Sequence, residues 1–337
     1  MRNVRLNINA LLIAGLILFT GCAKEEVTDV ATNGLTRTEM DTQLDAFISD
    51  LETQAAIYAE ENPRDFYGDQ AKSPDFLRFN TLREALRVTG LDAAVLGGGI
   101  TVFCPSDRAF GNIGLTPQNV AGTEGLADIL LYHVVGANVF SGDLSNGYVP
   151  TLNGAAVNIN LGAGGHVLEL PQVNDAFIYL FDRERYGTVF HGISEVLLPP
   201  TIDIVDVAIG AAPEFTTLVG ALVDTGLDDV LRTEGPFTVF APTNQAFEDL
   251  GIDLGTLSQE DLSNILLYHV VQGARVYSSD LADGPVDMAN GGSVTIDATN
   301  FTVDDSGSAD VAGIILSSID IQGTNGVIHA IDKVLLP

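Results

Sequence analysis

The chain of 337 residues contains no tryptophan, two cysteines and three lysines (Lys24, Lys72 and Lys333). Lysine and arginine together number 15 against 45 aspartates and glutamates, for a formal net charge of −30. Each scarcity excludes something. Nucleic-acid binding needs a basic surface to displace counterions from phosphates, and this composition does not supply one. Electrostatic adsorption to anionic lipid is excluded on the same ground. Catalytic signatures are also missing: there is no G-x-S-x-G, no H-E-x-x-H, no P-loop and no dinucleotide glycine pattern. Carboxylates spread over so acidic a surface are solvation, and without two converging in a cleft they make no acid/base argument. The chain therefore reads as non-catalytic, with no cofactor and no metal.

Apolar residues are not scarce. They make up 46% of the chain, and the mean hydropathy is +0.25. That is enough for real cores, and the length suggests about two domains. The acidic excess is mostly aspartate, 30 against 15 glutamates. An aspartate-rich, lysine-poor surface suits high salt, where screening quiets self-repulsion. The melting temperature is accordingly expected to rise between low and molar salt; a salt-independent value would remove this reading.

The N-terminus reads MRNVRLNINALLIAGLILFTGC. Arg2 and Arg5 precede an apolar run from Ala10 to Phe19, which is too short to span a bilayer. It fits a secretory signal over 1–21. Thr20-Gly21-Cys22 resembles a bacterial lipoprotein cleavage site, with Cys22 lipidated as the mature first residue. Ala23 after the cysteine favours sorting to the outer membrane, and Lys24-Glu25-Glu26 resembles a surface-export signal. With Cys22 acylated, Cys104 has no disulfide partner. It lies in the apolar stretch TVFCP and reads as a small buried hydrophobe.

The rest of the chain is one unit written twice. ILLYHVV occupies 129–135 and again 265–271. Upstream, FNTLREALRVTGLDAAV (79–95) matches FTTLVGALVDTGLDDVL (215–231), and ITVFCPSDRAF (100–110) matches FTVFAPTNQAF (237–247). Downstream, GANVFSGDL (136–144) matches GARVYSSDL (273–281), NGAAVNIN (153–160) matches NGGSVTID (290–297), and TVFHGISEVLLP (188–199) matches GVIHAIDKVLLP (326–337). A period of this size is a whole domain rather than a solenoid repeat. The expected domains are 63–200 and 201–337. Residues 22–62 form a tether in which Met40, Leu44, Phe47, Ile48, Leu51, Ala55 and Tyr58 keep helical spacing. That helix either tethers the first copy to the lipid or packs on its side.

Within each copy, Leu82, Ala85 and Leu86, or Leu218, Ala221 and Leu222, mark a helix closed by Gly90 or Gly226. TVF is a short buried strand. Pro105-Ser106-Asp107 and Pro242-Thr243-Asn244 start a short helix capped by the hydroxyl. ILLYHVV is a helix running into a strand, and the tail is rich in strands. Helices early and strands late argue for an α+β class.

TVFAPTNQAF, ILLYHVV and NGVIHAIDKVLLP, in that order and seen twice, resemble the fasciclin-like domain. The first and last resemble that family's two boxes. The resemblance implies two tandem domains, each a wedge of two β-sheets flanked by helices, and a role in adhesion to polysaccharide, matrix or a protein receptor. It places the Tyr-His region, here Tyr132, His133, Tyr268 and His269, where animal members are implicated in integrin binding; the position transfers, the ligand does not. Asp107, Asn244, His191, His329 and Asp332 are the other motif residues. Copy one departs from copy two in three places. It has Gly187-Thr188 for Asn325-Gly326, Ser194 for Asp332 and Cys104 for Ala241.

Each Tyr-His pair is surrounded by Ile, Leu and Val, so burial with backbone partners is the main reading. His269 is expected near His329, and His133 near His191. Ligand contact is the alternative; metal ligation lacks a carboxylate or cysteine at ligand spacing. DDSGSAD (304–310) supplies aspartates but not an EF-hand spacing, and it reads as a polar hairpin loop.

Overall fold

A computed structural model describes residues 35–61, 75, 77–162, 170–211, 214–305 and 311–337. Residues 1–21, expected to be a secretory signal, and Cys22 lie outside the described residues, as do 306–310 of DDSGSAD. No described helix is long and apolar enough to cross a membrane.

The first domain contains helices α1 (Arg37–Glu61), α2 (Asn80–Thr89), α3 (Asp92–Gly97), α4 (Asp107–Asn112) and α5 (Leu126–Tyr132). Its strands are β1 (Thr101–Pro105), β2 (Val134–Val135), β3 (Gly147–Pro150), β4 (Ala156–Asn160), β5 (Gln172–Val173), β6 (Ala176–Arg185) and β7 (Thr188–Ile193). The second domain repeats this with α6 (Ile204–Gly210), α7 (Thr216–Thr225), α8 (Leu227–Thr233), α9 (Asn244–Leu250) and α10 (Gln259–Leu267). Its strands are β8 (Phe237–Pro242), β9 (Val270–Gln272), β10 (Gly284–Asp287), β11 (Ser293–Asp297), β12 (Thr302–Asp304), β13 (Ala312–Gly313), β14 (Ile321–Gly323) and β15 (Gly326–Ile331). The architecture is α+β in two domains.

At the centre of each domain the TVF strand pairs in parallel with the last strand: Val102 opposes Phe190, and Val239 opposes Ile328. Both strands of each pair are buried along their whole length, which is why they read as continuous apolar runs rather than alternating ones. The second domain has two four-stranded sheets, in orders β14-β15-β8-β9 and β10-β11-β12-β13. In the first domain the corresponding sheets merge into one of seven strands, because β6 runs unbroken through two register shifts where the second domain has β13 and β14 separately.

Helix α1 belongs to the first domain's core. Leu44, Phe47, Ile48, Leu51 and Ala55 join the cluster that contains Leu82, Leu86, Val95, Tyr179 and Phe190. The Phe47 and Phe190 rings lie 4.1 Å apart, Arg37 pairs with Asp92 at 2.8 Å, and Arg83 pairs with Asp45. The boundary expected at 63 therefore follows the repeat and not the core. In the second domain the seven-residue α6 occupies the place before the repeat and packs on α7, α8 and β14. Asp203 caps α6 by accepting from Val205 and Asp206 N–H, both at 2.9 Å.

The two domains meet through unlike faces. The Tyr277 ring stacks on Tyr148 with centroids 4.5 Å apart. The Ala156 N–H donates to Tyr277 Oη at 3.2 Å and to Gln322 Oε1 at 3.1 Å, while Gln322 Nε2 donates to the Ala156 carbonyl at 3.1 Å. Arg275 donates to the Gly154 carbonyl, and the Tyr148 N–H donates to Ser279 Oγ at 3.1 Å. Gly147 is a requirement of this approach: a Cβ there would lie 2.8 Å from Ser279 Cβ. Gly284, its counterpart, has nearly the same φ (+136° against +133°) and nothing within 4 Å. G147A and G284A therefore carry the same backbone strain, and only the first also clashes across the domain contact. G147A is expected to destabilise by at least about 1 kcal/mol more than G284A in urea unfolding; equal losses would show that the contact tolerates the methyl group.

Candidate functional site

Tyr132 ends α5 and His133 follows it directly before β2; Tyr268 and His269 occupy the same joint between α10 and β9. Both histidines are buried. His133 Nδ1–H donates to the Ile129 carbonyl one helical turn back at 2.7 Å, and its Nε2 accepts from the Leu197 N–H at 2.9 Å. His269 repeats this with the Ile265 carbonyl at 2.8 Å and the Leu335 N–H at 2.9 Å. The ring thus satisfies a helix-end carbonyl and an N–H of the Val-Leu-Leu-Pro tail, tying the joint to the end of the domain. Both nitrogens are used in the neutral tautomer. Burial holds each pKa down to about 4, with the helix carbonyl, and for His269 also the Asp305 charge, acting in the opposite direction.

His191 and His329 lie on β7 and β15. They do not share partners with His133 and His269, because the TVF strand runs between the two histidine positions of each domain. His329 Nε2–H donates to the Val276 carbonyl at 2.8 Å, and Nδ1 accepts from the Asp320 N–H at 3.3 Å. His191 does the same with Val139 at 2.9 Å and Asp182 at 3.4 Å. These two histidines hold the opposite tautomer, and burial depresses their pKa values too.

A second polar group surrounds each of these rings, and sequence reasoning missed it. Asp320 Oδ1 accepts from the Ser278 N–H at 2.7 Å and Oδ2 from its hydroxyl at 2.5 Å. Thr238 Oγ1 donates to the Ala274 carbonyl at 3.0 Å and accepts from the Val276 N–H at 2.8 Å. Thr101, Ser141 and Asp182 form the same arrangement in the first domain. Both aspartates have left-handed backbones, φ 55° and 58°, a region that aspartate enters more readily than most residues. The signal was available: the serines lie in GANVFSGDL and GARVYSSDL, and the aspartates recur at the spacing of the histidines. Serine, histidine and aspartate here are not a catalytic triad. The hydroxyl donates to the carboxylate, and the imidazole spends its Nε2 proton on a carbonyl and its Nδ1 lone pair on the aspartate N–H, so no imidazole base faces the serine.

The remaining motif residues also hold backbone. Asp107 accepts from the Thr81 N–H at 2.7 Å and from Asn80 Nδ2 at 2.9 Å, joining the starts of α4 and α2. Asn244 accepts from the Thr217 N–H at 2.9 Å and donates to Thr216 Oγ1 at 2.8 Å. Ser106 and Thr243 cap their helices by accepting from the Ala109 and Ala246 N–H groups. Asp332 accepts from the Gly313 N–H at 2.7 Å, and Ser194 accepts from the Phe177 N–H at 2.9 Å, so that departure of copy one preserves the role. Thr188 Oγ1 donates to the Val95 carbonyl at 2.7 Å where Asn325 Nδ2 donates to the Leu231 carbonyl at 2.7 Å. Cys104 is completely buried, and burial pushes its thiol pKa up, disfavouring the thiolate. Tyr132 Oη donates to the Ala156 carbonyl at 2.9 Å and Tyr268 Oη to the Ser293 carbonyl at 2.7 Å.

Among the described residues no group of three or more histidine, cysteine, aspartate or glutamate side chains is placed to hold a metal ion. Of DDSGSAD, Asp304 and Asp305 are described: Asp304 ends β12, and the Asp305 carboxylate accepts from the Leu336 N–H at 2.7 Å.

Fold and site define a tandem of α+β modules whose repeated polar residues secure backbone joints. The fasciclin domain model matches residues 77–199 and 213–337, and the chain belongs to the fasciclin family. Transforming growth factor-beta-induced protein ig-h3 of Sus scrofa is 31% identical over 265 residues, covering 77% of this chain and 36% of that protein. Protein sll1483 of Synechocystis is 38% identical over 152 residues, 43% of this chain and 79% of that protein. The chain thus spans about a third of the length of the porcine relative. Among solved structures, a domain pair from the insect cell adhesion molecule Fasciclin I aligns over 77% of this chain and 97% of its own, at 17% identity and a TM-score of 0.35.

Proposed function

We propose that the protein is a surface-anchored, non-catalytic adhesion lipoprotein. Cys22 carries the lipid that holds it in the outer membrane, and the two domains contact an extracellular polysaccharide, the matrix or a protein receptor. The observation that carries the reading is that His133, His191, His269 and His329 each spend both ring nitrogens on backbone partners. The four described histidines are thus committed to holding the fold, which leaves the outer surfaces to act. Fasciclin domains are associated with adhesion and matrix binding, which supports the same reading. Nucleic acid is not a partner of so acidic a surface.

Protease shaving of intact cells, together with adhesion of a deletion strain and a glycan array probed with the mature chain, tests this. Shaving is expected to remove the protein, the deletion to reduce adhesion, and C22A to release the chain from the membrane. Protection from protease in intact cells would end the adhesin reading and leave a structural or assembly lipoprotein of the envelope with no external ligand.

A further inference from the structure

The domain contact joins the start of the β3–β4 hairpin of domain one to the Tyr277 segment and strand β14 of domain two. Because the domains are repeats, each also carries its own version of the face that the other uses. A contact between unlike faces of repeated units has no inherent stopping point. The free hairpin face of domain two on one molecule would take the free face of domain one on the next, and the chains would grow head to tail.

The side chains at the free faces oppose this position by position. Where Tyr277 receives the Ala156 N–H, domain one has Phe140, which has no hydroxyl. Where Gln322 both accepts from and donates to Ala156, domain one has the exposed Glu184, whose carboxylate has no N–H to donate and would face a carbonyl oxygen. Arg275 is replaced by Asn138, too short to reach a carbonyl across the contact, and Ser279 by Gly142. On the hairpin side Tyr148 is replaced by Pro285, which removes both the stacking ring and the N–H that Ser279 accepts.

The backbone platform, by contrast, is kept. Tyr268 holds the Ser293 carbonyl as Tyr132 holds that of Ala156, and Gly284 keeps the φ of Gly147. Domain two therefore keeps the backbone of a receiving surface without the ring and N–H of Tyr148, and domain one lacks the side chains that would recognise it.

We propose that these five exchanges confine the contact to the one pair within each chain. Arg275, Tyr277, Ser279 and Gln322, with Tyr148, are the specificity residues of that pairing, and the protein is a two-domain unit that does not extend through its own interface.

Sedimentation velocity of the full chain across a concentration series, in molar salt to screen the net charge, tests this. The wild type is expected to sediment as one species. The variant N138R/F140Y/G142S/E184Q/P285Y is expected to form a series of larger species that grows with concentration. Head-to-tail growth of the wild type would overturn the proposal, as would a folded five-residue variant that remains monomeric throughout. If that variant does not fold, the complementary exchange R275N/Y277F/S279G/Q322E decides. It is expected to release the domains from each other, seen as a larger radius of gyration in small-angle scattering, and a radius equal to the wild type's would overturn the assignment.

Discussion

Replacing His269 with alanine is expected to cost the second domain about 3–5 kcal/mol of stability. Two losses add. The ring is buried, so its removal leaves a cavity in a packed joint. The Ile265 carbonyl and the Leu335 N–H also lose their partner in a place that water does not reach, and each unsatisfied buried group costs about 1–3 kcal/mol. H133A is expected to do the same to the first domain through Ile129 and Leu197. Urea unfolding followed by circular dichroism checks this as a lower midpoint at unchanged slope. A loss below about 1 kcal/mol would mean that the tail of the domain is not fastened through the imidazole.

The same two rings make the protein acid-sensitive in a defined window. Their pKa values are held near 4 in the folded state, against an ordinary value of 6.5. Below 6.5 the unfolded chain takes up protons that the folded chain refuses, so the unfolded state binds more protons and stability falls as pH falls. The contribution is complete above 6.5 and lost progressively down to about 4, on the order of 3 kcal/mol per ring. Relief of repulsion among the carboxylates runs the other way, but it is concentrated in the carboxylate range around pH 4, at the lower end of this window. Unfolding free energies measured between pH 7 and 4.5 are expected to decline, and a flat profile would show that both rings protonate in the folded state. Molar salt, which screens the surface charges and not the buried rings, should leave the decline in place.

Much of this was legible because the chain carries its own internal comparison. Strands β1 and β8, the capped starts of α4 and α9, and the Tyr-His joints each appear twice in the same order, and a pattern that must satisfy two environments exposes its apolar positions. Burial of His133 and His269 followed from their neighbours alone. The legible part ended where partners are set by topology. Asp320 meets Ser278 across 42 residues and His329 across 9, distances that periodicity does not encode. Helix α1 showed its apolar stripe, but no 25-residue counterpart precedes the second copy, so its membership in the core had no internal reference. The domain contact was hidden for the opposite reason: Arg275, Tyr277, Ser279 and Gln322 are positions where the two copies disagree, and a search for sameness passes over them.

Cys104 replaces the alanine found at 241, and that single exchange gives the molecule an internal clock. The thiol is sealed beneath the first domain's core, and the second domain has no equivalent. At Cys104 a thiol reagent therefore reacts only when domain one opens, at a rate set by that opening equilibrium, while domain two has no cysteine to react. Labelling kinetics read at Cys104, by peptide mapping of the full chain, would report the stability of one domain in the presence of the other, without a tag, a truncation or a mutation.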